Sequence, residues 1–176
     1  VVVTAVARDD IPDGGAQHFA ETIAALRRRL PDAKVEVLIP DLRGNWDALD
    51  VVIDARPDVL NHNTETVPRL YKRVRPGARY ERTLELLERG SRAGMMVKSG
   101  IMVGLGERLP EISQVFSDLH AVGCDIVTVG QYLSPSEVHL PVERFYASAE
   151  YPALAAMGRE RGLGHVEAGP LVRSSY

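Results

Sequence analysis

Cysteine is almost absent from this chain of 176 residues: Cys124 is the only one. One cysteine excludes an intramolecular disulfide and any multi-cysteine metal site supplied by this chain alone. An excess of one charge is lacking too. The 21 Lys and Arg face 24 Asp and Glu, a formal net charge of −3, with neither the basic excess of a nucleic-acid binder nor an acidic tail. No apolar run approaches the roughly 18 residues of a membrane span, and no signal peptide is recognised. A Gly-x-Ser-x-Gly elbow and a phosphate loop ending in Gly-Lys-Ser/Thr are both missing, which weakens hydrolase and nucleoside-triphosphatase readings. No two of the five histidines, and no His–Cys pair, show a zinc spacing. What is present, 45% hydrophobic and 26% charged residues, is the composition of a globular domain long enough for one compact core. The chain opens in a β-branched run without Met and stops at Tyr176. It is therefore expected to be soluble and cytoplasmic, and cut at both ends from something longer.

Short apolar runs at 1–6, 35–39, 59–62, 97–103, 125–131 and 165–167 predict strands. Helix-period stripes lie between them: Phe19, Ile23, Leu26 and Leu30; Tyr80, Leu84 and Leu87; Ile112, Val115, Leu119 and Val122. Residues 45–55 read as a further helix with Trp46, Leu49 and Ile53 on one side. Pro110 suits a first helical turn, and Gly90, Gly123 and Gly162 sit where helices are expected to end. A βα repeat of roughly 30 residues predicts a parallel sheet with helices outside it. An open doubly wound sheet and a partial or complete barrel both fit. The barrel is favoured because the unusual residues all follow strand ends: Arg8-Asp9-Asp10, Asp41, Asn61-His62-Asn63, Gly104 to Glu107 and Gln131-Tyr132. That edge carries the active site in parallel α/β folds.

Each cluster has two readings. Residues 8–15 place three carboxylates before two glycines, but Ile11 stands where a calcium loop needs an oxygen ligand, so a βα loop is the alternative. Gly104 and Gly106 resemble the start of a dinucleotide fingerprint, yet its third glycine would fall at Leu109. A glycine-lined close approach of a flat ligand is the safer statement. Asn61 to Thr66 is dense in hydrogen-bonding groups that suit a ribose diol, or equally a helix cap. His18 and His120 lie in helical patterns, and Cys124 starts a strand on the far side from the functional edge, as a small buried hydrophobe would.

Taken in order, the segments 3–15, 36–41, 61–71, 98–107, 130–142 and 169–176 resemble those of the lipoyl synthase family, within the radical S-adenosylmethionine enzymes. The resemblance implies one domain over residues 1–176, a partial (β/α) TIM-like barrel of parallel strands with the first strand missing. It implies S-adenosylmethionine and two [4Fe–4S] clusters as cofactors, and radical insertion of sulfur at C6 and C8 of an octanoyl chain carried on a protein lysine. The partners it implies are an octanoylated lipoyl carrier domain or a glycine-cleavage H-type protein, with ferredoxin or flavodoxin as electron donor, and neither nucleic acid nor membrane. By the same resemblance Asn63 and Glu65 take the ribose, and Gly104 and Glu107 the adenosyl group with the backbone after Gly130. Arg8 and Asp10 take the methionyl end or the substrate. Ser175, with Ser174 as fallback, ligates the second cluster. No residue is assigned as a catalytic acid, base or nucleophile, since the cofactor carries such chemistry. The family's two cysteine triplets are not in this sequence, so the chain by itself is expected to be inert. A cluster-free barrel enzyme of aldolase or isomerase type, and a non-catalytic module that binds lipoyl carriers, are the competing expectations.

Overall fold

The structure, a computed structural model, describes residues 1–174. Six short strands form where the β-branched runs predict them: β1 (Val2–Thr4), β2 (Glu36–Leu38), β3 (Val59–Asn61), β4 (Met96–Val103), β5 (Ile126–Gln131) and β6 (His165–Gly169). Between them run α1 (Ala16–Arg29), α2 (Trp46–Asp54), α3 (Tyr71–Val74), α4 (Tyr80–Arg92), α5 (Leu109–Ala121) and α6 (Tyr151–Glu160). All neighbouring strands are parallel, and their order in the sheet is their order in the chain. A doubly wound sheet reverses that order at a switch point. Strict sequence order is the wall of a barrel, here a partial one.

Register sorts the strand residues onto two faces. Val37, Leu60, Val97, Val103, Val127, Val129 and Val166 point outward and are buried against the helices. Glu36, Asn61, Lys98, Gly100, Thr128 and Gly130 alternate with them and point to the concave side. A closed barrel fills its interior with layers of branched aliphatics; this concave face mixes the polar and glycine positions with Leu38, Val59, Met102 and Ile126.

Three helical details differ from the sequence pattern. Leu30 follows α1 and is 48% exposed, because the helix ends at Arg29. The buried face of α2 is Ala48, Leu49, Val52 and Ile53, while Trp46 starts the helix half-buried under the Arg89 guanidinium, 4.6 Å above its ring. In α4 the buried residues are Tyr80, Thr83, Leu86, Leu87 and Gly90, and Leu84 is only half-buried. Gly90 does not end that helix. It lies inside it, where a Cβ would come within 2.5 Å of Leu60 Cδ2, so glycine is what lets α4 press onto β3. Gly123 and Gly162 do follow helices in left-handed conformation, at φ 77° and 93°.

Candidate functional site

The concave face opens at its C-terminal edge into a cleft of about 150 Å³, lined by Asn63, Glu65, the β4 residues Gly100 to Met102, Thr128, Gly130, Gln131 and the segment Val172 to Ser174. Two missing Cβ atoms make it. At Gly100 a Cβ would meet Thr128 Oγ1 at 2.6 Å and Asn63 Oδ1 at 2.9 Å, so the glycine gives Asn63 room to lie over β4. At Gly130 it would meet the Val172 carbonyl oxygen at 2.3 Å, so the C-terminal segment crosses the sheet there.

Asn63 and Glu65 are held as a pair. Asn63 Nδ2 donates to Glu65 Oε1 at 3.1 Å and to Ser174 Oγ at 3.1 Å, while its own Oδ1 is buried without a partner among the described residues. Glu65 has a left-handed backbone, φ 67°, which is unusual for a side-chain-bearing residue. What sustains it is sheet-like bonding: Glu65 N donates to Gly100 O at 2.8 Å and Met102 N donates to Glu65 O at 2.8 Å. Burial pushes the Glu65 carboxyl up from its ordinary value, against the Arg75 guanidinium and the Asn63 amide, which favour the anion. Arg75 also donates from Nη1 to the Asn63 carbonyl at 2.9 Å. Below this pair, Lys98 Nζ contacts both Glu36 oxygens at 3.0 and 3.1 Å. Asn61 Nδ2 donates to Glu36 at 2.8 Å and to the Ser174 carbonyl at 3.0 Å.

Of the other residues singled out from sequence, Gly130 and Gln131 line the cleft, but Arg8, Asp10, Gly104 and Glu107 are not gathered here. Glu107 accepts from Gly104 N at 2.7 Å, Leu105 N at 2.8 Å and Tyr146 OH at 3.0 Å, so its carboxylate shapes the turn after β4 rather than facing the cleft. The missing Cβ of Gly104 faces Gln131 Nε2 at 2.2 Å and the Arg144 carbonyl at 2.5 Å, so protein already fills that side. Arg8 and Asp10 lie in a separate hollow with Arg43 and Asn45, joined to each other by two 2.7 Å bonds. The Arg8 hydrogen bond draws the Asp10 carboxyl down to about 2. Ser174 sits in the cleft; Ser175 lies outside the described residues. Sequence reasoning missed Glu36, Lys98, Thr128 and Arg75 as parts of one site. For the three strand residues the available signal was a polar side chain alternating with apolar ones; Arg75, at the end of α3, gave none.

The family model described as the Radical SAM superfamily matches residues 1–119. The chain belongs to that superfamily. Lipoyl synthase of Symbiobacterium thermophilum is 60% identical over 178 residues, covering 100% of this chain and 56% of that protein. Lipoyl synthase of Oleidesulfovibrio alaskensis is 57% identical over 176 residues, covering 100% of this chain and 60% of that protein. The radical SAM chain described here thus spans under two thirds of the length of these curated relatives. Among solved structures, a domain of pyruvate-formate lyase-activating enzyme from Bacteroides vulgatus aligns with TM-score 0.65 at 14% identity, over 95% of this chain and 98% of that one. At that identity the likeness speaks for the fold, a TIM-like partial barrel.

Two groups belong to the radical SAM name, and the described residues fit one of them. A nucleoside ligand fits: the cleft offers a buried, unpartnered Asn63 Oδ1 and the Glu65 carboxyl as acceptors for ribose hydroxyls. An iron–sulfur cluster does not. Among the described residues no group of three or more His, Cys, Asp or Glu is placed to hold a metal. Cys124 is buried just before β5, at the far end from the cleft, and burial pushes its thiol up to about 12. Nor is any helix among them long and apolar enough to cross a membrane.

Proposed function

We propose that the chain is the S-adenosylmethionine-binding wall of a lipoyl synthase, a sulfurtransferase that adds sulfur at C6 and C8 of a protein-bound octanoyl group. The observation that carries the reading is the pairing of Asn63 and Glu65 over Gly100, in a chain 52–60% identical to lipoyl synthases along its whole length. The two side chains would hold the ribose, with Glu65 accepting from its hydroxyls and the Asn63 oxygen accepting from the same edge. The strand segment after Gly130, where Gln131 lines the cleft, would flank the adenine. When bound, S-adenosylmethionine supplies the radical chemistry that an unactivated C–H bond requires. The chain's own residues would orient that cofactor, with Val172 to Ser174 forming one wall of the cleft.

Two [4Fe–4S] clusters, an octanoylated lipoyl carrier domain or H-type protein, and a ferredoxin or flavodoxin donor complete this reading, in the cytoplasm. The described residues offer a cluster no ligands. For that reason residues 1–174 alone are expected to insert no sulfur. The Arg8–Asp10 hollow remains open to the carrier or acyl chain. The cluster-free aldolase-type alternative needs a lysine free to react, whereas Lys98 is ion-paired with Glu36.

The test is calorimetric titration of S-adenosylmethionine and of 5′-methylthioadenosine, which keeps the ribose and adenine, into the full-length protein and its Asn63→Ala and Glu65→Gln variants. Each variant is expected to weaken both ligands at least about tenfold, a loss of about 1.4 kcal/mol. Unchanged affinities would overturn the assignment.

A further inference from the structure

Residues 66–80 carry Arg69, Lys72, Arg73, Arg75 and Arg79 and no acidic residue, in a chain whose net charge is −3. This basic stretch follows the Asn63–Glu65 pair at the C-terminal edge of the sheet, where Arg75 lines a hollow beside both residues, and so forms one rim of that edge. Arg69 and Arg73 reach along the rim rather than outward: Arg69 pairs with Glu111 at 2.7 Å, and Arg73 with Glu143 at 3.0 Å. The second pair fastens the basic stretch to the loop between β5 and α6. Lys72 and Arg79 are exposed and, among the described residues, in no ion pair. The β5–α6 loop adds two large apolar side chains facing solvent, Val138 at 92% and Phe145 at 69% exposure.

We infer that this rim, basic on one side and apolar on the other, docks the protein that carries the acyl chain, and that the docking face of that carrier is acidic. The inference rests on the lipoyl synthase reading above. An acyl chain tethered to a protein lysine reaches the cleft only with its carrier seated against the mouth, so the mouth must meet a protein. Aromatic anchors beside arginines are what protein interfaces select. A nucleic acid would call for a basic balance over the whole domain, which is absent. Unpaired rim cations steer an acidic partner and are screened by salt.

The experiment compares Lys72→Glu/Arg79→Glu with the unsubstituted full-length enzyme, reconstituted with its clusters, on two substrates: an octanoylated carrier domain and a short neutral octanoyl-lysine peptide. At low salt the charge-reversed enzyme is expected to show a KM for the carrier raised on the order of tenfold, with kcat and all constants for the peptide unchanged. Added salt should raise the unsubstituted enzyme's KM for the carrier toward that of the variant. Phe145→Ser should raise the same KM and spare the peptide. An unchanged KM for the carrier would overturn the inference, as would an equal loss on carrier and peptide, which marks a damaged fold. It would also fall if the reversal abolished binding of a short RNA duplex while sparing the carrier. If the unsubstituted enzyme converts neither substrate, the lipoyl synthase reading fails first and takes the docking surface with it.

Discussion

His62 is buried directly after β3, and its burial as a neutral imidazole is expected to cost the protein stability at mildly acidic pH. Its Nδ1 lies 2.8 Å from the Ile39 carbonyl, which can only accept, so Nδ1 carries the proton. Nε2, 3.3 Å from Thr83 Oγ1, then accepts from that hydroxyl. Burial lowers the pKa from 6.5 to about 4, helped by the nearby Arg75 and opposed by the Ile39 bond and Asp41. A base whose pKa is depressed on folding stabilises fully above its unfolded value and loses that contribution as pH falls toward the folded one. The gap corresponds to about 3 kcal/mol, of which about 2 kcal/mol is lost by pH 5. Glu65 works in the opposite direction. Its raised pKa means that it gains stability as pH falls, so the bare pH profile understates His62. The difference between the native protein and His62→Gln removes that contribution. Urea unfolding of both at pH 7.5 and pH 5.0 should show the native protein losing about 2 kcal/mol more than the variant. Equal losses in the two proteins would refute the buried neutral imidazole.

Gly90→Ala should destabilise by about 1–3 kcal/mol despite a helix-propensity gain of about 1 kcal/mol, because the new methyl meets Leu60 Cδ2 at 2.5 Å and Val97 Cγ2 at 3.3 Å. Urea unfolding measures this, and a stabilised variant would mean that α4 does not press on β3 as described. Cys124, with its thiol pushed up to about 12 and 4% exposed, should resist iodoacetamide at pH 8 until urea unfolds the chain. Labelling of the native protein at the rate of a free thiol would contradict that burial.

The strands were legible in the sequence because β2 to β6 bury apolar residues on their outer face, and the ends of most strands carry the unusual residues. Asn63 and Glu65 were legible for the same reason. What escaped was anything set by contacts between distant segments. Lys98 and Glu36 are 62 residues apart and meet only because β2, β3 and β4 align in register. Glu107, by contrast, looked like a ligand group from its place after two glycines, and closes on the amides of its own turn. Arg8 and Asp10 satisfy each other within two residues, a local bond that no periodicity reveals. Gly90 looked like a stop because glycine usually is one, and only the approach of Leu60 shows its packing use.

The two faces of the sheet divide folding from chemistry. Methyl groups packed under the helices supply the cohesion, whereas the concave residues touch mainly one another and whatever enters. Such a wall can be re-lettered from inside. Replacing Thr128 or Met102 should alter which molecules the cleft accepts while leaving the melting point nearly where it was. The same scaffold can therefore be steered toward other ligands, by evolution or at the bench, without first being made more stable.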